Sequence, residues 1–322
     1  MTVSTQPLVS VIITTLRRPH LVLKAIDSVL SQTLKNIELI VVVDGPDDPQ
    51  TVEVLQKVED PRFRFVVLPR NVKLAQARNE GVKEAKADWV AFLDDDDVWM
   101  PEKLEAQLAV GTQSKYEWPI VASRFVAETA KGKFVWPKRL PRPDEPIGDY
   151  IFIRNSFFQG EGVVLPTTFF VRRELLERIP FVHGKHEDYD WLLRVGQLEG
   201  TGLAFVAEPM AVWHFHEGTG LQRLSQNENW KQSLAWIRAA KPMMSRQAYS
   251  GFIVHLVSPA AAAARDWSAF GKLLREFVVV GRARPFDYLL FASMWFIPGD
   301  LRRQIRWVLN RRKRTASTAM TP

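Results

Sequence analysis

Cysteine is absent from all 322 residues. That excludes disulfides, cysteine-ligated zinc, iron–sulfur clusters and thiol chemistry, and it suits a reducing cytoplasm. Two phosphate-binding loops are missing as well. No G-x-G-x-x-G follows the first apolar run, and no G-x-x-x-x-G-K-[ST] occurs anywhere. Any phosphate handled by this chain is therefore expected to be held by a metal and by side chains rather than by a glycine-rich nest. Long apolar runs are lacking too. The stretch Tyr288 to Pro298 falls short of the roughly 20 residues that span a bilayer. Met1 to Pro7 is polar and has no basic-plus-apolar signal pattern, so export is not expected. DNA- and RNA-binding motifs are not visible, and nucleic acid is not an expected partner.

What is present is ordinary in bulk and informative in pattern. Hydrophobic content of 46% and charged content of 25% are globular values, and the length allows one large domain or a core with an extension. Leu8 to Thr15, Ile37 to Val43, Phe63 to Leu68 and the apolar run ending at Leu93 read as buried strands, too uniformly apolar to have one wet face. Between them lie helical patterns. One starts at Pro19 with Val22, Ile26, Val29 and Leu30 on one stripe; a second starts at Asp48-Pro49; a third covers about Val72 to Ala87. A repeat of about 30 residues is the length of a βαβ unit. The first ~110 residues are expected to form a parallel, doubly wound α/β sheet.

The apolar run Trp89 to Leu93 stops at four consecutive aspartates, Asp94 to Asp97. Adjacent carboxylates repel and resist leaving water, so they call for solvent or a cation. The carboxyl end of a buried strand is also where an open α/β sheet places its ligand. One reading is a divalent metal, Mn2+ or Mg2+, carrying a phosphate-bearing ligand on its far side. The other is a solvated turn in which Asp96 or Asp97 caps the helix after Pro101. Further on, a strand is expected near Ile120 to Phe125 and another over Gly162 to Val171. Lys131 to Asp149 reads as a surface excursion. Glu187 and Asp188 open a helix, where acids are favoured structurally and where a positioned Asp can accept a proton from a substrate hydroxyl. His214 and His216 share one face of a strand, either as metal or phosphate contacts or as polar surface.

The chain resembles a family-two glycosyltransferase of the GT-A fold. The matching stretches are Val9 to Thr15, Glu38 to Asp44, Ala77-Arg78-Asn79-Glu80-Gly81, Phe92 to Trp99 and Glu187-Asp188-Tyr189-Asp190, in the family's order and spacing. The resemblance implies a nucleotide-diphosphate sugar donor, of the UDP type, lying across the carboxyl ends of the first, second and fourth strands. Thr14 and Thr15 would line the nucleoside pocket, Asp44 would read the base, and Arg78 would sit near the base or diphosphate. Asp94 and Asp96 match the D-x-D motif around Asp95. The metal candidates are Asp96 and Asp94, with His216 added from the paired histidines; Asp94 and Asp95 join the sugar-nucleotide set. Asp188 matches the catalytic base of an inverting transfer, and Glu187 is the next candidate. The sequence departs from the family where an arginine commonly precedes a histidine by two residues: here His214 precedes His216. A Q-x-x-R-W motif and membrane spans are missing, which points to single-sugar addition. A nucleotidyltransferase would instead carry a glycine-rich loop after the first strand, and Thr15-Leu16-Arg17-Arg18-Pro19 is not one.

The resemblance covers about residues 8–217. Accordingly a catalytic domain is expected over 1–225 and a helical extension over 226–322. The net charge of +7 is concentrated in the basic block Arg302 to Arg314. With Tyr288, Phe291, Trp295 and Phe296 just before it, that block reads as a helix docked on an anionic membrane surface. In that case the protein would be peripheral on the inner face of the membrane and the acceptor a lipid-linked saccharide rather than a free one. Failing that, the aromatics belong to the protein's own core or to a homodimer interface. A non-enzymatic membrane-docked module is the remaining alternative.

Overall fold

The computed structural model describes residues 6–129, 132–157, 160–214, 229–297 and 301. Its chain divides into two compact units, Met1–Ile147 with Gly162–Leu221, and Gly148–Glu161 with Gln222–Pro322.

The first unit is built on a nine-stranded sheet. Its strands are β1 (Val9–Thr15), β2 (Ile37–Val43), β3 (Phe63–Val67), β4 (Trp89–Asp94), β5 (Val98–Trp99), β6 (Trp118–Thr129), β7 (Gly132–Trp136), β8 (Phe170–Arg172) and β9 (Thr201–His214). They lie in the order β3-β2-β1-β4-β8-β6-β9-β5, with β7 paired to β6. The pairs β1–β2, β1–β4, β2–β3 and β6–β9 are parallel, whereas β8 runs antiparallel to both β4 and β6. This is the mostly parallel α/β architecture expected of the sequence. All seven residues of β1 and of β2 are buried, as strands covered on both faces must be. The one acid among them, Glu38, is hydrogen-bonded: it accepts from Ser10 Oγ at 2.6 Å and from Arg64 at 3.1 Å.

Helices α1 (Pro19–Leu30), α2 (Pro49–Leu55), α3 (Leu74–Glu84) and α4 (Lys103–Thr112) alternate with the strands. Pro19 and Pro49 open α1 and α2 where the missing N–H costs nothing, and Asp48 caps α2 by accepting from Thr51 N. α3 lies close on the sheet through Gly81. A Cβ there would stand 2.5 Å from Ile12 Cγ2 and 3.2 Å from Val42 Cγ2.

Several expected elements differ. Lys131 to Asp149 is not only an excursion: β7 pairs antiparallel with β6, and Trp136 meets the rings of Phe125 and Trp213. α5 (Ile147–Phe152) then begins. Over Gly162 to Val171 the chain forms a 3-10 turn at Pro166–Thr168, leaving only β8 as strand. Proline has no N–H to give a ladder, which limits strand length here. Two short helices complete this unit, α6 (Arg173–Arg178) and α7 (Glu187–Val195).

The second unit is helical: most of α5, then α8 (Trp230–Ala240), α9 (Arg246–Phe252), α10 (Ser258–Ala263), α11 (Ser268–Arg275) and α12 (Pro285–Phe296). A π-helical turn, Ile253–Val257, joins α9 to α10, and another, Glu276–Val280, extends α11. Its core includes Leu234, Tyr249, Phe252, Phe277 and Phe291. Glu276 is held there by Arg238 and by the Tyr249 hydroxyl. The four aromatics expected on one outer face are split. Phe291 and Trp295 are buried, with Phe291 stacked on Phe277, whereas Tyr288 and Phe296 are exposed. Helix α12 ends at Phe296, and the basic block 302–314 lies outside the described residues. No described helix is long and apolar enough to cross a membrane.

Gly81→Ala weighs about 1 kcal/mol of helix propensity gained against overpacking of about 1–3 kcal/mol. Ile12 Cγ2 belongs to a fully buried strand side chain that cannot swing away, so overpacking wins. Net destabilisation of about 1–2 kcal/mol is expected, read as a lower urea midpoint at unchanged m-value.

Candidate active site

Strand register assembles the site. Thr14 is the partner of Asp94 across β1 and β4, and Asp44 N donates to Thr15 O at 3.0 Å just past the end of β2. Thr14, Thr15, Asp44 and Asp94 therefore share the carboxyl edge of the sheet, at the strands where an open α/β fold binds its ligand.

The four aspartates turn to different partners. Asp94 Oδ1 accepts from Arg78 Nη2 at 2.9 Å. Asp95 is buried; one oxygen accepts from Thr15 Oγ1 at 2.7 Å and the other from Arg18 Nη1 at 2.9 Å. Asp96 Oδ2 lies 3.5 Å from the same Arg18 nitrogen. Asp97 accepts from the backbone N of His214 at 3.1 Å, and the Asp96 carbonyl is 2.9 Å from His214 Nδ1. Neither Asp96 nor Asp97 caps the following helix, whose N-cap is Glu102. The solvated-turn reading is thereby corrected: the run is tied into the fold residue by residue. Burial pushes the Asp95 carboxyl up to about 6 against the pull of Arg18. It drives Asp97 well above its ordinary range, helped by the charges of Asp94 and Asp96.

Arg78 stands at the centre. It projects from α3, is 2% exposed, and donates to Asp188 Oδ1 at 2.7 Å as well as to Asp94; Glu187 Oε1 is 3.7 Å away. Its guanidinium lies 5.5 Å from the centroid of the Phe181 ring. Burial opposes its charge, yet the three carboxylates more than offset that and raise its pKa. Glu187 and Asp188 form the first turn of α7, where the helix dipole favours negative charge. His186 ahead of them takes a left-handed φ of 60°. Burial pushes Glu187 up to about 7, with Arg78 opposing and Asp188 and Asp94 adding. Burial raises Asp188 too, again against Arg78.

Asp44 has a structural occupation. Its two carboxylate oxygens accept from the backbone N–H of Val72, at 2.7 Å, and of Lys73, at 3.0 Å. It thus clamps the loop entering α3. His216 lies outside the described residues. Arg18 and Phe181 were not singled out from sequence. The signal for Arg18 was a basic residue directly after the first strand, opposite an acidic run directly after the strand that pairs with it.

Among the described residues no group of three His, Cys, Asp or Glu side chains forms a ready cage for a metal ion. Asp94 and Asp96 nonetheless offer hard carboxylate oxygens at one edge, and Mg2+-like ions are commonly held by one or two carboxylates with the remaining ligands from phosphate and water. The donor set fits such an ion when a phosphate-bearing ligand is present.

The family model described as "Glycosyl transferase family 2" matches residues 10–180. The chain belongs to glycosyl transferase family 2 and is a glycosyltransferase. It is 28% identical over 245 residues to the amylovoran biosynthesis glycosyltransferase AmsB of Erwinia amylovora, covering 74% of this chain and 79% of that one. It is 30% identical over 188 residues to WfgD of Escherichia coli, a UDP-Glc:alpha-D-GlcNAc-diphosphoundecaprenol beta-1,3-glucosyltransferase, covering 58% and 68%. Among solved structures, S. aureus TarS 1-349 in complex with UDP-GlcNAc aligns with a TM-score of 0.56 at 15% identity, over 94% of this chain and 91% of that one. Family membership sets aside the nucleotidyltransferase and the non-enzymatic module.

Glu187 carries a pH signature. Its folded-state pKa of about 7 lies above the ordinary 4.5. Between those values the folded protein keeps a proton that the unfolded chain has released. The stabilising effect is therefore present below about pH 4.5 and lost as pH rises through about 7. Glu187→Gln is expected to melt higher than wild type at pH 8 and to lose less stability between pH 5 and 8, by calorimetry. Parallel curves for the two proteins would assign the slope elsewhere.

Proposed function

We propose that this enzyme moves one sugar from a UDP-sugar to a hydroxyl of a saccharide or lipid-linked saccharide, with inversion at the anomeric carbon. The observation that carries the reading is the bridge made by Arg78 between Asp94 and Asp188, which puts the acidic strand end and the candidate base into one cluster. The donor class rests on the UDP-GlcNAc held by TarS and on the UDP-Glc named for WfgD. A lipid-linked acceptor rests on the GlcNAc-diphosphoundecaprenol named for the latter. A cytoplasmic enzyme, peripheral on the inner face of the membrane, fits such an acceptor.

In this reading Thr14, Thr15 and Asp44 border the nucleoside, and Arg78 stands by the base or diphosphate. Asp95 holds the loop through Thr15 and Arg18. Asp96 and Asp94, with His216, would hold Mn2+ or Mg2+. When bound, such an ion would supply positive charge to offset the departing diphosphate. The acceptor hydroxyl attacks the anomeric carbon, Asp188 takes its proton, and the bond from that carbon to the diphosphate oxygen breaks as UDP leaves. A single displacement inverts the centre and needs only one carboxylate as base. The raised pKa of Asp188 suits it to take up a proton, and Arg78 keeps it ionised until then.

Asp188→Asn is expected to leave UDP binding within a few-fold while cutting transfer by about 100-fold or more. A parallel collapse of donor affinity would make Asp188 a ligand contact instead. Separately, Asp96→Ala should abolish the manganese-dependent rise in melting temperature with UDP. Asp95→Asn should lower the melting temperature without UDP, because it weakens the Thr15 and Arg18 contacts, yet keep a manganese-dependent increment. Equal loss of that increment at both positions would move the metal site by one residue.

A further inference from the structure

Helix α12 has an exposed face with no charge on it. Its twelve residues, Pro285–Phe296, contain one charged side chain, Asp287, and that one is 2% exposed and paired with Arg284. Leu290, Phe291 and Trp295 point into the unit's own core. The exposed positions Tyr288, Leu289, Ala292 and Phe296, at 100° per residue, fall within roughly 100° of arc. Leu289 and Phe296 are 61% and 65% exposed. Trp267, also exposed, extends the face: its ring lies 6.1 Å from that of Phe296. A helix apolar all round is ordinarily buried on every side, whereas this one keeps about 100° of its circumference exposed.

Charge identifies the partner. Residues 229–322 hold sixteen Lys and Arg against four Asp and Glu, a net +12, whereas the whole chain is +7 and the rest of it therefore −5. Within the described part of this stretch the acids are already engaged, Glu276 by Arg238, Asp287 by Arg284 and Asp266 by Ser268. Arg265, Lys272, Arg275 and Arg282 are exposed. A second copy docked on the same face would bring two such cationic regions together, which is unfavourable. An anionic lipid surface answers both features, taking apolar side chains at headgroup depth and pairing with the excess cations of the same unit.

We propose that the face formed by Trp267, Tyr288, Leu289, Ala292 and Phe296 is the surface by which this enzyme docks on an anionic bilayer. At twelve residues α12 is too short to cross one, so it lies in the plane of the interface. This gives residues to the peripheral association suggested above, and it stands apart from the donor chemistry because it is measured without donor or acceptor. Full-length protein is sedimented with vesicles of phosphatidylcholine alone or mixed with phosphatidylglycerol, at low and high salt. Binding is expected to need phosphatidylglycerol and to weaken with salt. Leu289→Glu with Phe296→Glu, and independently Trp267→Glu, are expected to lower partitioning about tenfold or more, with melting temperature and transfer to a soluble acceptor unchanged. The proposal is overturned if wild type ignores anionic vesicles at low salt. It is equally overturned if the folded variants bind as well as wild type, which would assign docking to the basic tail alone. Dimers at micromolar concentration that the double variant disperses, without vesicle binding, would give the face to a second copy.

Discussion

One buried guanidinium sustains the site. Arg78 comes from a helix on one side of the sheet and meets three carboxylates from two other elements, Asp94 from the end of β4 and Glu187 and Asp188 from the start of α7. Removing either side of such an arrangement leaves buried charge uncompensated, a loss of about 3–5 kcal/mol in comparable cases. Three acids against one base leave a residual negative charge. Burial is the larger reason that Glu187 binds its proton more tightly than an ordinary carboxylate, and this residual charge adds to it against the pull of Arg78.

Four aspartates in a row coexist because strand geometry sends them to different places. Arg78 serves the first, Arg18 the second and third, and the backbone of β9 the fourth. The parallel register of β1 against β4 is the prerequisite, since it sets Thr14 opposite Asp94, and the next residues bring Thr15 and Arg18 to Asp95. The same register places the edge of β2 alongside, with Asp44 closing the loop into α3.

The sheet was legible in the sequence because β-branched runs buried on both faces have few other uses. The carboxyl edge was legible because such runs stop at charged residues. What escaped reading was contact across long sequence separations. Arg18 and Asp95 are 77 positions apart, and only their places after two strands that pair connect them. β7 was hidden because Pro137, Pro141 and Pro143 dominate the composition around it, although Phe134 and Trp136 alternate inward with Val135 outward. At 100° per residue Tyr288, Phe291 and Trp295 fall within about 60° of one another, with Tyr288 at the margin of the buried stripe, and Phe296 lies about 80° beyond Tyr288.

The second unit is discontinuous in the chain, since Gly148–Glu161 belongs with residues from Gln222 onward. Phe152 is part of that early piece, and its ring packs edge-on against Phe252 of α9, where the Gly251 position has no room for a Cβ beside the Phe152 carbonyl. On the ribosome, about a hundred residues must be made after Phe152 before Phe252 exists. At roughly 5–20 residues per second, the early piece waits on the order of 5–20 s for its mate. The first unit, whose last segment ends at Leu221, has all its residues before that wait is over. Order of synthesis thus favours completion of the catalytic sheet before the helical unit closes around residues 148–161.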